Sequence, residues 1–341
     1  MSIIRLPIIL GPTGVGKTEI ALQVAEALGG EILSADSRQV YREMNIGTSK
    51  PTPEEQRKVK HHMIDLVPPD VHYSSGDYAR DAWKVLKSTF DILNSKFEIH
   101  NSTSRITNPA PTRGGANHPP PITGLKIPLL VGGSGLYIRA FLNGFFDAPP
   151  VNLSLRQRLE KEEKATLYER LKNVDPQAAE RIHPNDRQRI TRALEVYEQT
   201  GYPLTKLQSG IQHPESTIQT LFIGLTRERE DLYRRIDKRV ERMMEEGFVE
   251  EVEGLLANGY SPEMESFKAV GYREILRTLQ GEISEEEAVE LTKKNTRHFA
   301  RRQLTWFRGL EGVEWISLQK DSDATNIAKK IGKRISEFLS D

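Results

Sequence analysis

The sequence feature that most constrains the fold is a glycine-rich stretch near the start of the chain. It reads Gly11, Pro12, Thr13, Gly14, Val15, Gly16, Lys17 and Thr18. An apolar run precedes it and an alternating apolar pattern follows it, so the local order is strand, loop, helix. This order and the spacing G-x-x-x-x-G-K-T are typical of a loop whose backbone N–H groups bind a polyphosphate at a helix N-terminus. Lys17 would add a positive charge, and Thr18 a hydroxyl for Mg²⁺ or for a phosphate oxygen.

Size and composition limit the functional classes. A chain of 341 residues is long for one compact domain and predicts two domains, or one domain with an insertion. The 48 Lys and Arg balance the 48 Asp and Glu, so nucleic-acid binding would have to come from local clusters of charge. The chain has no cysteine, which excludes disulfides, cysteine-ligated zinc and cysteine nucleophiles and favours the cytoplasm. No apolar run approaches the roughly 18 residues of a membrane helix, and no membrane association is expected.

Strand and helix patterns alternate along most of the chain. Continuous apolar runs predict strands at 31–36, 127–131, 220–225 and 313–318. Helical periodicity predicts helices at 76–94, at 228–258 with an interruption near Gly247, at 266–280 and at 284–307. The alternation predicts an α/β fold of the P-loop NTPase-like, doubly wound kind, with a mostly parallel sheet covered on both faces.

Two stretches interrupt the alternation. Residues 95–126 are rich in Asn, Ser, Thr, Pro and Gly and predict a flexible insertion loop, since they have little apolar surface to bury. Residues 149–212 are highly charged and helical in pattern without a strand-like run, which predicts a small all-helical insertion domain. The predicted domains are a first core part at 1–148, the helical insertion at 149–212 and a second core part at 213–341.

Asp36 follows the predicted strand 31–36 at its carboxyl end, where ligands bind in doubly wound sheets. Two functional interpretations are open: a ligand of phosphate-bound Mg²⁺, or a general base for a nucleophile that attacks beside the polyphosphate. The third interpretation is structural, with Asp36 capping the following turn.

Arg239 lies inside the apolar stripe of its predicted helix, three residues after Ile236 and four before Met243. A guanidinium there loses water and needs a partner, because an unpaired buried charge costs several kcal/mol. The partner is either a structural carboxylate or a phosphate group.

A basic helix is predicted at 293–308, with no acidic residue in the span. Its cations are Lys293, Lys294, Arg297, His298, Arg301, Arg302 and Arg308. A single-sign stripe that ends in Trp306 and Phe307 favours a nucleic-acid backbone over a merely solvated face. A weaker cluster contains Arg187, Arg189 and Arg192.

Two further positions have structural interpretations. Ser134 follows two glycines at a strand-to-helix turn and is interpreted as a helix N-cap. His61 and His62 lack metal-ligand spacing and are interpreted as turn or core residues.

Several blocks together resemble the bacterial tRNA dimethylallyltransferase family, over nearly the whole chain. They are 11–18, 34–41, 47–51, 61–65, 131–137, 183–186, 270–273 and 301–307. The resemblance implies transfer of a dimethylallyl group from dimethylallyl diphosphate to the N6 amine of adenosine 37 of tRNA, next to the anticodon, with release of diphosphate. It also implies Mg²⁺ as the cofactor, tRNA bound through its anticodon stem-loop, and a cytoplasmic monomer.

The resemblance assigns roles to residues. Asp36 would be the general base, Lys17 and Arg239 would neutralise the departing diphosphate, and Thr18 would contact diphosphate and metal. The tRNA contacts implied are Asp36, Ser37, Arg38, Gln39, Ser134, Arg156, Gln188, Arg189, Ile190, Thr191, Arg192, Lys268, Gly271, Tyr272, Arg273, Arg301, Arg302, Gln303 and Arg308. Ser134 stands where the family commonly has threonine, and the loop at 95–126 is not part of the usual pattern.

Three alternatives stay open. An adenylate isopentenyltransferase would perform the same chemistry on a free nucleotide, but it would need neither the helical insertion nor the basic helix. A P-loop kinase or ATPase would bind and hydrolyse ATP. A non-catalytic RNA-binding protein would leave Asp36 and Arg239 without a purpose.

Overall fold

The computed structural model describes residues 3–89, 126–144, 149–209 and 217–341. Apart from Lys126, the predicted insertion loop at 95–126 lies outside these residues.

One parallel sheet of six strands forms the centre of the described structure. The strands are β1 (Ile3–Leu10), β2 (Glu31–Ala35), β3 (His61–His62), β4 (Pro128–Gly132), β5 (Thr217–Arg227) and β6 (Val313–Leu318). Their order is β3-β2-β4-β1-β5-β6, and Ile8 of β1 lies opposite Leu130 of β4 and Phe222 of β5. The sheet confirms the predicted α/β fold. Since every strand points the same way, the loops that follow β1, β2 and β4 meet at one edge.

The two-residue strand β3 was interpreted as turn or core residues from sequence. It pairs with β2, and Nε2 of His62 lies 2.6 Å from Oε2 of the buried Glu31. A strand of two residues is too short to show a period of two, so the pattern gave no signal for it.

Helices connect the strands and flank the sheet. The helices outside the charged stretch are α1 (Lys17–Leu28), α2 (Pro53–Lys58), α3 (Ser75–Thr89), α4 (Gly135–Asn143), α10 (Arg229–Glu245), α11 (Phe248–Ala257), α12 (Tyr272–Leu279), α13 (Glu285–Arg308) and α14 (Ala324–Ser340). Fully buried side chains such as Ile20 of α1 and Ile331 of α14 pack with Ile223 and Leu225 of β5 in one hydrophobic core. This core supports the edge at which β1, β2 and β4 end.

The predicted helix at 266–280 is wrong in one respect, because it is broken. A 3-10 turn at Ser266–Lys268 is followed by an extended residue, and α12 begins only after Gly271. Gly271 has a φ of 96°, which a helix does not contain, and its N–H donates to Oε2 of Glu274.

Five helices lie in the charged stretch: α5 (Leu153–Glu160), α6 (Lys164–Val174), α7 (Pro176–Arg181), α8 (Arg187–Thr200) and α9 (Leu204–Ser209). Leu159, Leu171, Ile190 and Leu194 form their own hydrophobic core. These helices belong to a compact unit made of Ser74–Arg80 and Arg139–Glu215, while the sheet belongs to a unit made of Met1–Tyr73, Asp81–Ile138 and Ser216–Asp341.

Candidate active site at the edge of the sheet

The glycine-rich loop joins β1 to α1, which begins at Lys17. Gly14 and Gly16 have φ angles of 79° and 103°, in the left-handed region that side chains with a Cβ rarely adopt. A Cβ on Gly14 would also lie 2.7 Å from Cγ1 of Ile236 on α10. Glycine at position 14 therefore serves both the turn and the close packing of α10 against the loop.

Lys17 lies beside the loop that it follows, and its Nζ donates to the carbonyl of Pro12 at 2.9 Å. Burial lowers the pKa of Lys17 to about 8; the negative charge of Asp36 opposes this shift and the positive charge of Arg239 adds to it. A bound anion would replace the interactions with water that burial removes. Lys17 is therefore suited to a phosphate group.

Arg239 reaches the same loop from α10. One guanidinium nitrogen donates to Oγ1 of Thr13 at 3.2 Å, and another donates to the carbonyl of Thr48 at 3.4 Å. Among the described residues no carboxylate lies within ion-pair distance of it, and burial lowers the pKa of Arg239. Of the two partners considered from sequence, the structural carboxylate is therefore not found in the part of the chain that the structure describes. Neighbouring Arg235 donates to the carbonyl of Gly14 at 3.1 Å, so α10 contacts the loop twice.

Asp36 follows β2 and does cap the turn, as one of its three interpretations requires. Its Oδ1 accepts from the backbone N–H of Arg38 at 2.8 Å and of Gln39 at 3.4 Å. Its Oδ2 accepts no hydrogen bond from any residue that the structure describes, and the residue is only partly buried. One carboxylate oxygen is therefore structural and the other is free for chemistry.

Ser134 lies at the end of β4, next to Asp36. Its backbone N–H donates to the carbonyl of Ala35 at 3.0 Å, and its Oγ accepts from the N–H of Ser37 at 2.9 Å. Its carbonyl accepts from the N–H of Ile138, which is the backbone bond of an N-cap position. The hydroxyl, however, joins the β2 and β4 loops instead of capping α4.

Gln303 of α13 bridges two loops of the site, a role that its sequence position did not suggest. Its Oε1 accepts from the N–H of Thr13 at 2.8 Å, and its Nε2 donates to the carbonyl of Gly133 at 2.9 Å. The side chain is buried, with 9% exposed. Both ends of its amide therefore bond to the protein, and its contact with tRNA stays a prediction.

The loop after Asp36 is held through its backbone N–H groups. Glu251 of α11 accepts from the N–H groups of Asn45 at 2.8 Å, Ile46 at 2.7 Å and Gly47 at 3.2 Å, and from the hydroxyl of Tyr272 at 2.5 Å. This fixes the segment that presents the Thr48 carbonyl to Arg239. Sequence reasoning missed Glu251, although it lies three residues after the buried Phe248 and four before the buried Leu255, the same signal that singled out Arg239.

The other residues of this loop that were predicted to contact tRNA differ in how far they bond to the protein. The amide of Gln39 is engaged within the loop, donating to the Ser49 carbonyl at 3.1 Å and accepting from Ser34 Oγ at 3.2 Å. Arg38 donates to the carbonyl of Glu265 at 3.4 Å. Ser37 and Arg38 are partly exposed beside Asp36.

Two faces of α13 differ sharply. Lys293 pairs with Glu241 and Glu290, and Arg297 pairs with Asp237 at 2.6 Å, so two cations of the predicted stripe bind α10 or its own helix. The remaining ones are exposed, and none has an ion pair within the ranges described: Lys294, His298, Arg301, Arg302 and Arg308. Phe307 is fully buried, while Trp306 packs on Gly135.

The residues near α12 that were predicted to contact tRNA differ in burial. Tyr272 is fully buried with its hydroxyl bound to Glu251, and burial and that negative charge raise the pKa of Tyr272 well above its usual range. A Cβ on Gly271 would lie 2.9 Å from Phe248. Tyr272 and Gly271 therefore pack against protein, whereas Lys268 and Arg273 are exposed and pair with Glu265 and Glu274. Contact of these four residues with tRNA stays a prediction.

In the helical unit, some residues that were predicted to contact tRNA are buried and others are exposed. The buried Glu195 accepts from Arg156 at 3.1 Å and from Arg192 at 2.8 Å, and although burial raises the pKa of Glu195, these partners lower it below its usual range. Ile190 is fully buried and Thr191 is 7% exposed, and their contacts with tRNA stay predictions. Gln188 and Arg189 are exposed.

Comparison with known proteins decides the family. The sequence model of the IPP transferase family matches residues 39–95 and 123–310. The chain is 43% identical over 331 residues to tRNA dimethylallyltransferase of Geobacter sulfurreducens, with 96% of each chain covered. It is 41% identical over 339 residues to that of Thermotoga maritima, covering 98% of this chain and 99% of the relative.

The chain belongs to the tRNA dimethylallyltransferase family.

Solved structures agree with this assignment. The full-length tRNA isopentenylpyrophosphate transferase of Bacillus halodurans matches with a TM-score of 0.65 and 34% identity, over 98% of this chain and 97% of that one. A eukaryotic dimethylallyltransferase acting on tRNA matches with a TM-score of 0.75 and 26% identity, over 99% of this chain and 80% of that one. In the described ranges, no helix has the length and apolar character needed to cross a membrane.

Proposed function

We propose that the protein transfers a dimethylallyl group from dimethylallyl diphosphate to the exocyclic N6 amine of adenosine 37 of tRNA. The amine nitrogen forms a bond to C1 of the allyl group, the C1–O bond breaks, and diphosphate leaves with the electron pair of that bond. The proton lost by the nitrogen goes to Asp36. The alternatives of a free-nucleotide acceptor and of ATP hydrolysis have no observation in their favour.

The observation that carries the proposal is the pair of buried cations at the glycine-rich loop. Lys17 and Arg239 meet there, and among the described residues no carboxylate forms an ion pair with Arg239. Cations with weakened hydration stabilise negative charge that develops on a leaving group. The loop residues Gly11, Pro12, Thr13, Gly14, Val15, Gly16, Lys17 and Thr18 would bind the diphosphate.

Asp36 is the proposed general base. The oxygen Oδ1 keeps the turn in place, and Oδ2 remains to accept the proton of the attacking amine. An exocyclic adenine amine is a weak nucleophile, so exact alignment with the allylic carbon contributes much of the rate. A flipped base would be needed to reach the site, at a cost of about a few kcal/mol.

Mg²⁺ is the proposed cofactor. In the part of the chain that the structure describes, no cluster of three or more His, Cys, Asp or Glu could hold a metal ion, so the protein supplies no complete metal cage. The hydroxyl of Thr18 is exposed at the start of α1, which suits a cation bound mainly by diphosphate oxygens and water. When bound, Mg²⁺ would neutralise charge on the departing diphosphate.

The anticodon stem-loop of tRNA is the proposed acceptor. The exposed cations of α13 would contact its phosphates, together with Ser37, Arg38, Gln188, Arg189, Lys268 and Arg273. The unit that contains α5 to α9 would bind the stem. Arg156 and Arg192 of this unit are held in place by their hydrogen bonds to Glu195. We also propose that the protein is cytoplasmic and that it is a monomer. Size-exclusion chromatography with light scattering would test the monomeric state.

The test is incubation of the purified protein with Mg²⁺, radiolabelled dimethylallyl diphosphate, and either unmodified tRNA or AMP. We expect label in tRNA alone, at adenosine 37 after nuclease digestion. Label in AMP would make the protein a free-nucleotide enzyme. No label in either acceptor, with hydrolysis of ATP, would favour a kinase or ATPase.

A further inference from the structure

Helix α13 presents Gln303 on the side opposite to its free cations. Ala300, Gln303 and Phe307 are buried at helical spacing, whereas Arg301, Arg302 and Arg308 are exposed. A buried amide between apolar neighbours needs all of its hydrogen bonds satisfied. Each end of the Gln303 amide has a backbone partner, since Oε1 accepts from the Thr13 N–H and Nε2 donates to the Gly133 carbonyl.

Both partners of Gln303 belong to the loops of the site. Thr13 lies in the glycine-rich loop, and its hydroxyl accepts from Arg239. Gly133 precedes Ser134, whose hydroxyl accepts from the N–H of Ser37, the residue after Asp36. A Cβ on Gly133 would lie only 2.5 Å from Nε2 of Gln303, so the glycine leaves room for this bond.

We propose that Gln303 is a positioning residue that fixes the glycine-rich loop relative to the loop after β4. It thereby holds the diphosphate site, with Thr13 and Arg239, at a set distance from the base Asp36, because Ser134 of the β4 loop bonds to Ala35 and Ser37 on either side of Asp36. This inference rests on the proposed function. It replaces the direct tRNA contact that the sequence suggested for Gln303.

A positioning role predicts a particular split of kinetic constants. Gln303→Met has similar volume and removes both hydrogen bonds. We expect kcat with tRNA to fall by about tenfold or more, because small displacements at a reacting centre cost up to about 100-fold. The Kd for dimethylallyl diphosphate should rise, while the Kd for tRNA stays within about twofold. A tRNA contact would instead raise the Kd for tRNA and spare kcat.

Two variants sharpen the test. Combining Gln303→Met with Arg239→Ala should cost less than the product of the single losses, because both act through Thr13. The matched control is Gln319→Met. Gln319 is an exposed glutamine whose side chain bonds to no described residue, so this variant should leave all kinetic and binding constants unchanged.

If Gln303→Met lowers Tm so far that the protein does not fold, Gln303→Glu is used instead, because glutamate keeps the size of the side chain and the acceptor for the Thr13 N–H.

The outcomes separate the two proposals. If the wild type transfers no label to tRNA, the proposed function fails. If the wild type is active and Gln303→Met keeps its kcat and its affinity for dimethylallyl diphosphate, the positioning role alone is overturned. A weaker affinity for tRNA at unchanged kcat would also overturn it and restore the tRNA contact.

Discussion

The two carboxylate oxygens of Asp36 have different roles, one structural and one chemical. Oδ1 caps the turn that follows β2, and Oδ2 accepts no hydrogen bond from the described residues. The general-base and turn-cap interpretations are therefore compatible, and substitution can separate them, since asparagine keeps an acceptor at Oδ1 and loses only the basic oxygen.

We predict that Asp36→Asn lowers kcat by about 100-fold or more, the usual effect of losing a general base, with unchanged tRNA affinity and Tm. Asp36→Ala should lower kcat equally and also lower Tm, because the N–H groups of Arg38 and Gln39 lose their acceptor. Single-turnover kinetics, filter binding and thermal melts measure these effects. An asparagine variant with wild-type turnover would remove Asp36 from the proton transfer.

Lys17 gives the site a pH dependence. Its pKa in the folded protein is about 8, lowered from 10.5, so Lys17 is charged below pH 8 and loses its charge as the pH rises through 8. We predict that the Kd for dimethylallyl diphosphate rises by about tenfold between pH 7 and pH 9, following the charged fraction of Lys17. Calorimetric titration across this range measures it.

Lys17→Arg is the matched control for that titration. An arginine stays charged throughout this range, so its Kd should not change with pH even if it is weaker overall. The same rise in Kd for the arginine variant would assign the titration to another group.

At the scale of elements, α13 combines two tasks on opposite faces. Gln303 faces the glycine-rich loop, while Arg301 and Arg302 face solvent without ion pairs in the described structure. Helix α10 supports the same loop through Ile236 and Arg235. The elements that carry the proposed tRNA face and the diphosphate site are thus partly the same.

We predict that replacing Arg301 and Arg302 by glutamine weakens tRNA binding and reduces the slope of log Kd against log salt. Each lost phosphate contact should reduce the slope by about 0.7 to 0.9. The control is Lys293→Gln, since Lys293 is mostly buried and pairs with Glu241 and Glu290. A slope that is the same in the double variant and the wild type would remove this face from the RNA interface.

At the scale of the whole molecule, the curated relatives cover nearly the full chain, whereas the family model matches it in two parts. The IPP transferase match runs over residues 39–95 and 123–310, and between these parts it omits 96–122. That omission lies inside the insertion loop predicted at 95–126 from its composition.

We predict that replacing residues 96–122 by a short Gly-Ser linker keeps kcat and tRNA affinity within about twofold, because surface insertions are generally tolerated. The transfer assay and filter binding measure both quantities. A weaker affinity for tRNA in the deletion variant would instead make this stretch an accessory RNA contact.

The sequence by itself determined the described strands other than β3, the glycine-rich loop and the family. These depend on local information: apolar runs of strand length, helical periodicity, and glycines at fixed spacing before a lysine. The burial of Arg239 in the apolar stripe of its helix was also predictable from the sequence, because this position depends only on neighbours within one helix.

Only the tertiary structure decided which side chains meet. Thr13 and Gln303 are 290 positions apart, and Asn45 and Glu251 are 206 apart, so no local pattern contains these contacts. The same applies to Tyr272, Ile190 and Gln303, which motif resemblance assigned to RNA and which packing buries. Burial is a property of the assembled core, and a motif does not show on which side of that core its residues lie.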